Sequence, residues 1–138
     1  QINRSMPYYV ANQLLEGLHA AGQSLRGKRG LVVGVTYKPD IADDRESPSY
    51  VLMDLLLKKG AEVSFYDPLV SRSPPGRGRW SGRDAVPWNE QELSSHGAAV
   101  VCTGHTAVDY STLADHVPLI VDACNVVPKN RKARVVAA

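Results

Sequence analysis

Apolar and polar positions alternate along this chain in two rhythms, one helical and one of short unbroken runs. From Tyr8 to about Ala21 the residues Val10, Leu14, Leu15 and Leu18 recur at helical spacing. Ser5 stands near the N-cap of that helix and Pro7 in its first turn, where a missing N–H does no harm; Gly22 and the polar pair Gln23-Ser24 end it. A polar approach through Gly30 leads into the apolar run Leu31 to Val35, which predicts a buried strand. After a charged loop, a second helix is predicted from near Ser47, with Pro48 in its first turn. Val51, Leu52, Leu55 and Leu56 form its core stripe, Asp54 and Lys58 a water-facing i,i+4 pair, and Gly60 its C′ stop. Ala61 to Tyr66 is the second strand, closed by Asp67-Pro68. Such a βαβ unit requires parallel strands and a right-handed crossover.

The alternation continues. Ser71 to Pro87 reads as a long surface loop rich in Gly, Pro and Arg, Glu90 to Ser95 as a short helix, and Ala98 to Thr103 as a third strand. Asp109 to His116 is a short helix, Leu119 to Ala123 a fourth strand, and Arg131 to Ala138 a frayed tail. The class is α/β with a mainly parallel sheet.

Composition narrows this modestly. A length of 138 residues suits one domain with a real core, and a start at Gln1 rather than Met fits a piece of a longer protein. The chain is 43% hydrophobic and 22% charged, with a net charge of +2, which is too small to argue for nucleic acid. Cys102 and Cys124 sit on separate predicted core strands, so two reduced thiols in a cytoplasmic protein are the simplest expectation. No apolar stretch approaches membrane-spanning length.

The chemistry concentrates in the loop from Gly34 to Ser49, between the first strand and the second helix. In an open α/β sheet ligands sit at that end of a strand. Lys38 and Arg45 stand there with the amide donors of the helix start, a set that suits a phosphate or pyrophosphate. A dinucleotide fingerprint needs three glycines and only Gly34 is present. Asp67 is either a ribose-binding acid or a plain turn residue. Lys38, beyond a buried strand and beside the Tyr37 ring, is the strongest phosphate candidate. Arg45, among Asp43, Asp44 and Glu46, either reaches outward or braces the loop by ion pairs, and the two roles are compatible. Arg72, Arg77, Arg79 and Arg83 beside Trp80 invite a nucleic-acid reading, but no recognition motif accompanies them and a mobile surface loop explains them better. The four histidines lack metal-site spacing; His105 lies on the same ligand edge, as does Cys124, which has no base nearby in sequence.

These residues carry a resemblance. Gly34 to Asp40, Asp44-Arg45-Glu46-Ser47-Pro48, Gly60 to Val63 with Tyr66-Asp67-Pro68, Thr103-Gly104-His105 with Asp109-Tyr110, and Leu119 to Asn125 resemble the C-terminal, UDP-binding domain of the UDP-glucose/GDP-mannose dehydrogenase family. Asn3 with Met6 to Val10 looks like the segment that leads into that domain, in the form closest to the branch acting on UDP-N-acetylglucosamine or UDP-N-acetylmannosamine. The resemblance implies a Rossmann-like sheet in residues 25–138, preceded by a linker helix in residues 1–24. It implies part of an oxidoreductase that takes the C6 hydroxyl of a UDP-sugar to a carboxylate with NAD, in a dimer or larger assembly. The NAD-binding domain and the Gly-Gly-x-Cys-x-Pro-Lys nucleophile segment are not in this sequence, so the chain alone should not turn over substrate.

Carried across by position, Tyr37 and Lys38 would contact the UDP part of the substrate, and Arg45 would reach toward the NAD phosphates. Cys124 would occupy a nucleotide-contacting position that is usually arginine, and Gly104 one that is usually an acid. A thiol cannot supply a charged fork. Cys124 sustains a rival reading, a non-catalytic binding or regulatory module with a degenerate nucleotide site.

Overall fold

A computed structural model describes residues 5–138 of the chain, and Asn3 of the pattern above lies outside them. The apolar runs form a five-stranded, all-parallel sheet: β1 (Arg29–Val33), β2 (Glu62–Tyr66), β3 (Ala98–Val101), β4 (Leu119–Asp122) and β5 (Arg134–Ala137), in the order β2-β1-β3-β4-β5. Among the described residues, α1 (Met6–Ala20) precedes β1, and α2 (Pro48–Lys58), α3 (Glu90–Ser94) and α4 (Tyr110–His116) connect the strands from β1 to β4.

The two-residue period of a strand divides the sheet between two cores. Val32, Val100 and Val121 face α1 and α2, while Leu31, Val33, Ala99, Val101 and Ile120 face α3 and α4. The first of these faces is closed by Val10, Leu14 and Leu18 of α1, which lies against α2, β3 and β4.

Local chemistry sets the helix ends. Ser47 Oγ accepts the Ser49 N–H at the start of α2. Gly60, at φ 97°, ends it: Gly60 N–H donates to Leu57 O and Ala61 N–H to Leu56 O, which satisfies the last carbonyls. Asn89 and Asp109 cap α3 and α4 in the same way as Ser47 caps α2.

Four expectations need correction. The buried stripe of α2 is Ser49, Leu52, Met53 and Leu56, with Val51 left 44% exposed. The helix is rotated because its first turn is tied inward, Ser49 Oγ donating to Gly34 O and Tyr50 OH to Asp44 Oδ2. Full burial of Leu52, Met53 and Leu56, worth roughly 1.5–3 kcal/mol each, follows from that rotation. Asp54 does not simply face water beside Lys58; it accepts the Trp80 indole N–H at 2.8 Å and pairs with Arg79.

The loop from Ser71 to Pro87, expected to be mobile, is pinned. Trp80 is buried in a 3-10 turn (Gly78–Trp80), Ser73 hydrogen-bonds Trp80 O, Ser73 N–H donates to Arg83 O, and Val86 N–H donates to Phe65 O at the outer edge of β2. The tail is also not frayed. Val135 and Val136 of β5 pack on opposite faces of the sheet beside Ile120 and Val121, an alternation that the charged stretch before them obscured.

Candidate functional site

From β1 the chain turns one way to β2 and then crosses back to β3 on the other side of β1. The strand order reverses there, and at such a point the loops leaving two neighbouring strands diverge and leave a crevice at their carboxyl ends. The loop after β1 and the segment Cys102–Asp109 after β3 meet at this crevice.

Gly34 begins it. Its φ is 91°, its N–H donates to Tyr66 O, and it passes so close to β3 that an added Cβ would lie 2.5 Å from Thr103 O. Thr103 Oγ1 donates in turn to Thr36 O at 2.7 Å. The glycine therefore serves close passage of two backbones and does not form part of a pyrophosphate turn.

The floor of the crevice is a buried polar network. Asp67 Oδ2 accepts the Val35 N–H (2.8 Å) and the Thr36 N–H (3.3 Å), and Oδ1 accepts the Leu69 N–H (2.8 Å). His105 Nε2 lies 2.9 Å from Asp67 Oδ2 and 3.0 Å from Thr36 Oγ1, while Nδ1 accepts the Asp40 N–H at 2.9 Å. A backbone amide can only donate, so Nδ1 carries the lone pair and the network assigns the neutral Nε2–H tautomer. Asp40 reaches back to the Thr106 N–H, and Tyr110 OH donates to His105 O. Asp67 is thus both a turn residue and the anchor of the loop above it. Its carboxylate is turned inward and fully buried, away from the place of a ribose-binding acid.

The opposite wall is set by Asp44. Arg77 grips its carboxylate with two hydrogen bonds, Nε at 3.1 Å and an Nη at 2.7 Å, and Tyr50 OH adds a third at 2.7 Å. Burial acts to raise the Asp44 pKa, but the Arg77 and Tyr50 hydrogen bonds and the Arg77 charge outweigh it and leave the carboxyl below its usual range. Burial and the Asp44 contact both push the Tyr50 phenol well up. A depressed folded-state pKa gives stability that is whole above the unfolded value of about 4 and is lost as pH falls through the folded one. Urea midpoints should accordingly be flat from pH 7 to 5 for this group and fall below pH ~4, and the fall should be smaller in Asp44→Asn.

Beside Asp44, the exposed Arg45 forks onto Asp43 at 3.0 and 2.9 Å, and this hydrogen bond holds the Asp43 carboxyl down to about 2. Tyr37, Asp43, Arg45 and Glu46 line a cleft of about 330 Å³. Two of the expected site residues, Tyr37 and Arg45, therefore share one cleft.

Lys38 stands in the same loop, exposed, and among the described residues its side chain makes no ion pair. Cys124 lies elsewhere on the edge, at the end of β4. Burial and Asp122 push its thiol up to about 11, so it is protonated and unactivated at neutral pH. An added Cβ at Gly104 would come 3.2 Å from Cys124 Cβ, so these two residues are neighbours in space. The helix start offers less than expected. Pro48 has no N–H and Ser47 Oγ occupies that of Ser49, so α2 does not present a free ring of donors.

The sequence reading missed the pairing of Asp67 with His105 and of Asp44 with Arg77. It also missed Asp122, which accepts the Cys124, Val126 and Val127 N–H groups and shapes the loop to β5. Only the repeated placement of an aspartate at the end of an apolar run hinted at Asp67 and Asp122. The arginines of the 71–87 loop are all engaged within the chain: Arg72 with Asp84, Arg77 with Asp44, Arg79 with Asp54, and Arg83 over the Trp80 ring.

Residues 31–129, which run from within β1 to beyond β4 and include every loop of the crevice, match the UDP-glucose/GDP-mannose dehydrogenase family, UDP binding domain. The chain belongs to this family. Among its relatives, the UDP-glucose 6-dehydrogenase of Rhizobium meliloti is 31% identical over 120 residues, 83% of this chain and 27% of that protein. The UDP-N-acetyl-D-mannosamine dehydrogenase of Methanococcus maripaludis is 41% identical over 71 residues, 51% of this chain and 16% of that protein. A crystal structure of an NDP-N-acetyl-D-galactosaminuronic acid dehydrogenase from Methanosarcina mazei superposes with a TM-score of 0.78 at 27% identity, covering 99% of this chain and 29% of that one. The chain thus spans less than a third of the length of these relatives. Among the described residues, no helix is long and apolar enough to cross a membrane.

Proposed function

We propose that this chain is the UDP-sugar-binding domain of an NAD-dependent UDP-sugar 6-dehydrogenase, with a UDP-N-acetylhexosamine as the substrate. The observation that carries the reading is the family match over the switch-point crevice, whose loops hold an exposed, unpaired Lys38 over a rigid floor. The N-acetylhexosamine preference rests on the UDP-N-acetyl-D-mannosamine and UDP-N-acetyl-D-glucosamine dehydrogenases among the relatives.

In this reading Lys38 neutralises the UDP phosphates, with Tyr37 beside it, and Cys124 borders the nucleotide without contributing charge. Binding the nucleotide here, remote from the C6 hydroxyl, supplies orientation for chemistry carried out on another part of the enzyme. NAD would accept the hydride. The residues of this chain fit NAD as a wall and not as a cradle, because the start of α2 is self-capped and the loop has no glycine turn. Arg45 would meet phosphates held mainly elsewhere, and this chain alone would not turn over substrate.

Calorimetric titration with UDP tests the reading. Binding at millimolar affinity or tighter is expected, with Lys38→Ala weakening it at least tenfold and Cys124→Arg, which restores a forked cation, strengthening it. No detectable binding by either the parent chain or Cys124→Arg would refute the reading in favour of a degenerate site.

A further inference from the structure

We propose that Arg77, on the arginine-rich loop between β2 and α3, is the positioning residue for Arg45, so that this loop latches the cofactor-facing side of the cleft. The inference deepens the reading above and rests on it for the role of Arg45.

The side chain of Arg45 holds it only weakly. Its only ion-pair partner among the described residues is Asp43, and the two side chains are 78% and 41% exposed, a pair that solvent weakens. Its place is set by the backbone. Ser47 N–H donates to Asp44 O, closing a four-residue turn with Arg45 at its outer corner. Glu46, the third residue of that turn, has φ 56°, a conformation that turns of this kind usually give to glycine. A strained residue persists only where its surroundings over-determine it.

Here both ends of the turn are fixed. Ser47 is the cap of α2, and Asp44 is gripped by Arg77 from 33 residues away, with Tyr50 OH beside it. The Arg77–Asp44 pair is largely buried, at 17% and 7% side-chain exposure, unlike the other arginine–aspartate pairs of the same loop. Alternate residues of the segment point to opposite sides: Asp44 inward to its clamp, and Asp43 and Arg45 outward into the cleft. Holding the inward residue therefore aims the outward ones. Loop 71–87 can serve as the holder because Trp80, hydrogen-bonded to Asp54 of α2, and Val86, hydrogen-bonded to Phe65 O of β2, pin it to the body of the domain, and Ser73 closes the loop on itself.

The test is an NMR titration of this chain with inorganic pyrophosphate, read at the Arg45 Nε–H and at the Tyr37, Asp43 and Glu46 amides, in parallel with the UDP titration. A saturable response at these groups is expected in the parent chain and in Lys38→Ala, which lacks the cation proposed for the UDP phosphates, and Arg45→Ala abolishes it. Arg77→Met is expected to weaken the pyrophosphate response at least tenfold while UDP affinity changes less than twofold. Arg77→Lys, which keeps the charge without the fork, should fall between parent and Arg77→Met. The double variant Asp44→Asn/Arg77→Met removes the buried charge together with its partner, so it keeps the fold, and it should show the same selective loss. No response in the parent chain, or parent-like responses in Arg77→Met and the double variant, would overturn the proposal. Loss of UDP binding in the parent chain refutes the UDP-site reading separately.

Discussion

Asp67→Ala is expected to destabilise the domain by about 3–5 kcal/mol, a large share of the roughly 5–15 kcal/mol that holds a domain folded. The substitution removes one buried carboxylate, strands three donors, the Val35, Thr36 and Leu69 amides, and leaves the His105 Nε2–H with Thr36 Oγ1 alone. Each unsatisfied buried donor costs about 1–3 kcal/mol, and water entering the hole would recover only part of that. The effect should spread. Once Asp67 no longer holds His105, the ring that accepts the Asp40 N–H is braced on its other side by Thr36 Oγ1 alone, so the loop that carries Lys38 loosens. Urea unfolding should show the lower midpoint. Asp67→Asn keeps one acceptor oxygen and should lose less. A loss below about 1 kcal/mol in Asp67→Ala would show that the network does not organise the crevice.

Gly34→Ala should cost about 2–4 kcal/mol, for two separate reasons. An L-residue at φ 91° is strained whatever surrounds it, and here the new methyl would sit 2.5 Å from Thr103 O, 2.6 Å from Thr103 Cβ and 2.7 Å from Thr103 N. All three atoms are backbone or Cβ, so trimming the threonine cannot relieve the clash, and Thr103→Ala should fail to rescue the variant. It would also remove the Thr103 hydroxyl bond to Thr36 O and so add to the loss. Thermal unfolding of the single and double variants measures both effects. Rescue by Thr103→Ala would mean that the clash is not the cause.

The legible parts of this fold were those written locally. Ser47-Pro48, Gly60 and Asp109 each mark a helix end through contacts within a few residues, and those ends stand where the sequence puts them. The apolar runs marked four strands for the same reason. What escaped was non-local. β5 is a strand only because β4 lies beside it, and the charged residues 129–134 hid that partnership. The face of α2 is chosen by Gly34 and Asp44, which tie Ser49 and Tyr50 inward; the helical period alone allowed a face one residue away.

The candidate site divides in the same manner. Lys38 and Arg45 were visible because an exposed cation beyond a buried strand needs no partner to be noticed. The pairings of His105 and Arg77 were not, because they depend on Asp67 and Asp44, 38 and 33 residues distant in sequence. Cys124 was noticed for what it lacks, and the structure adds that Gly104 is its neighbour.

The central claim is that the nucleotide lies in the crevice where the strand order reverses. Amide chemical-shift mapping during a UDP titration tests it most directly. The account predicts that the largest shifts fall in residues 34–45, 103–106 and 124–127, and that they vanish together in Lys38→Ala. Saturable shifts centred instead on the 71–87 loop or on the α1 face, or unaltered by Lys38→Ala, would contradict it.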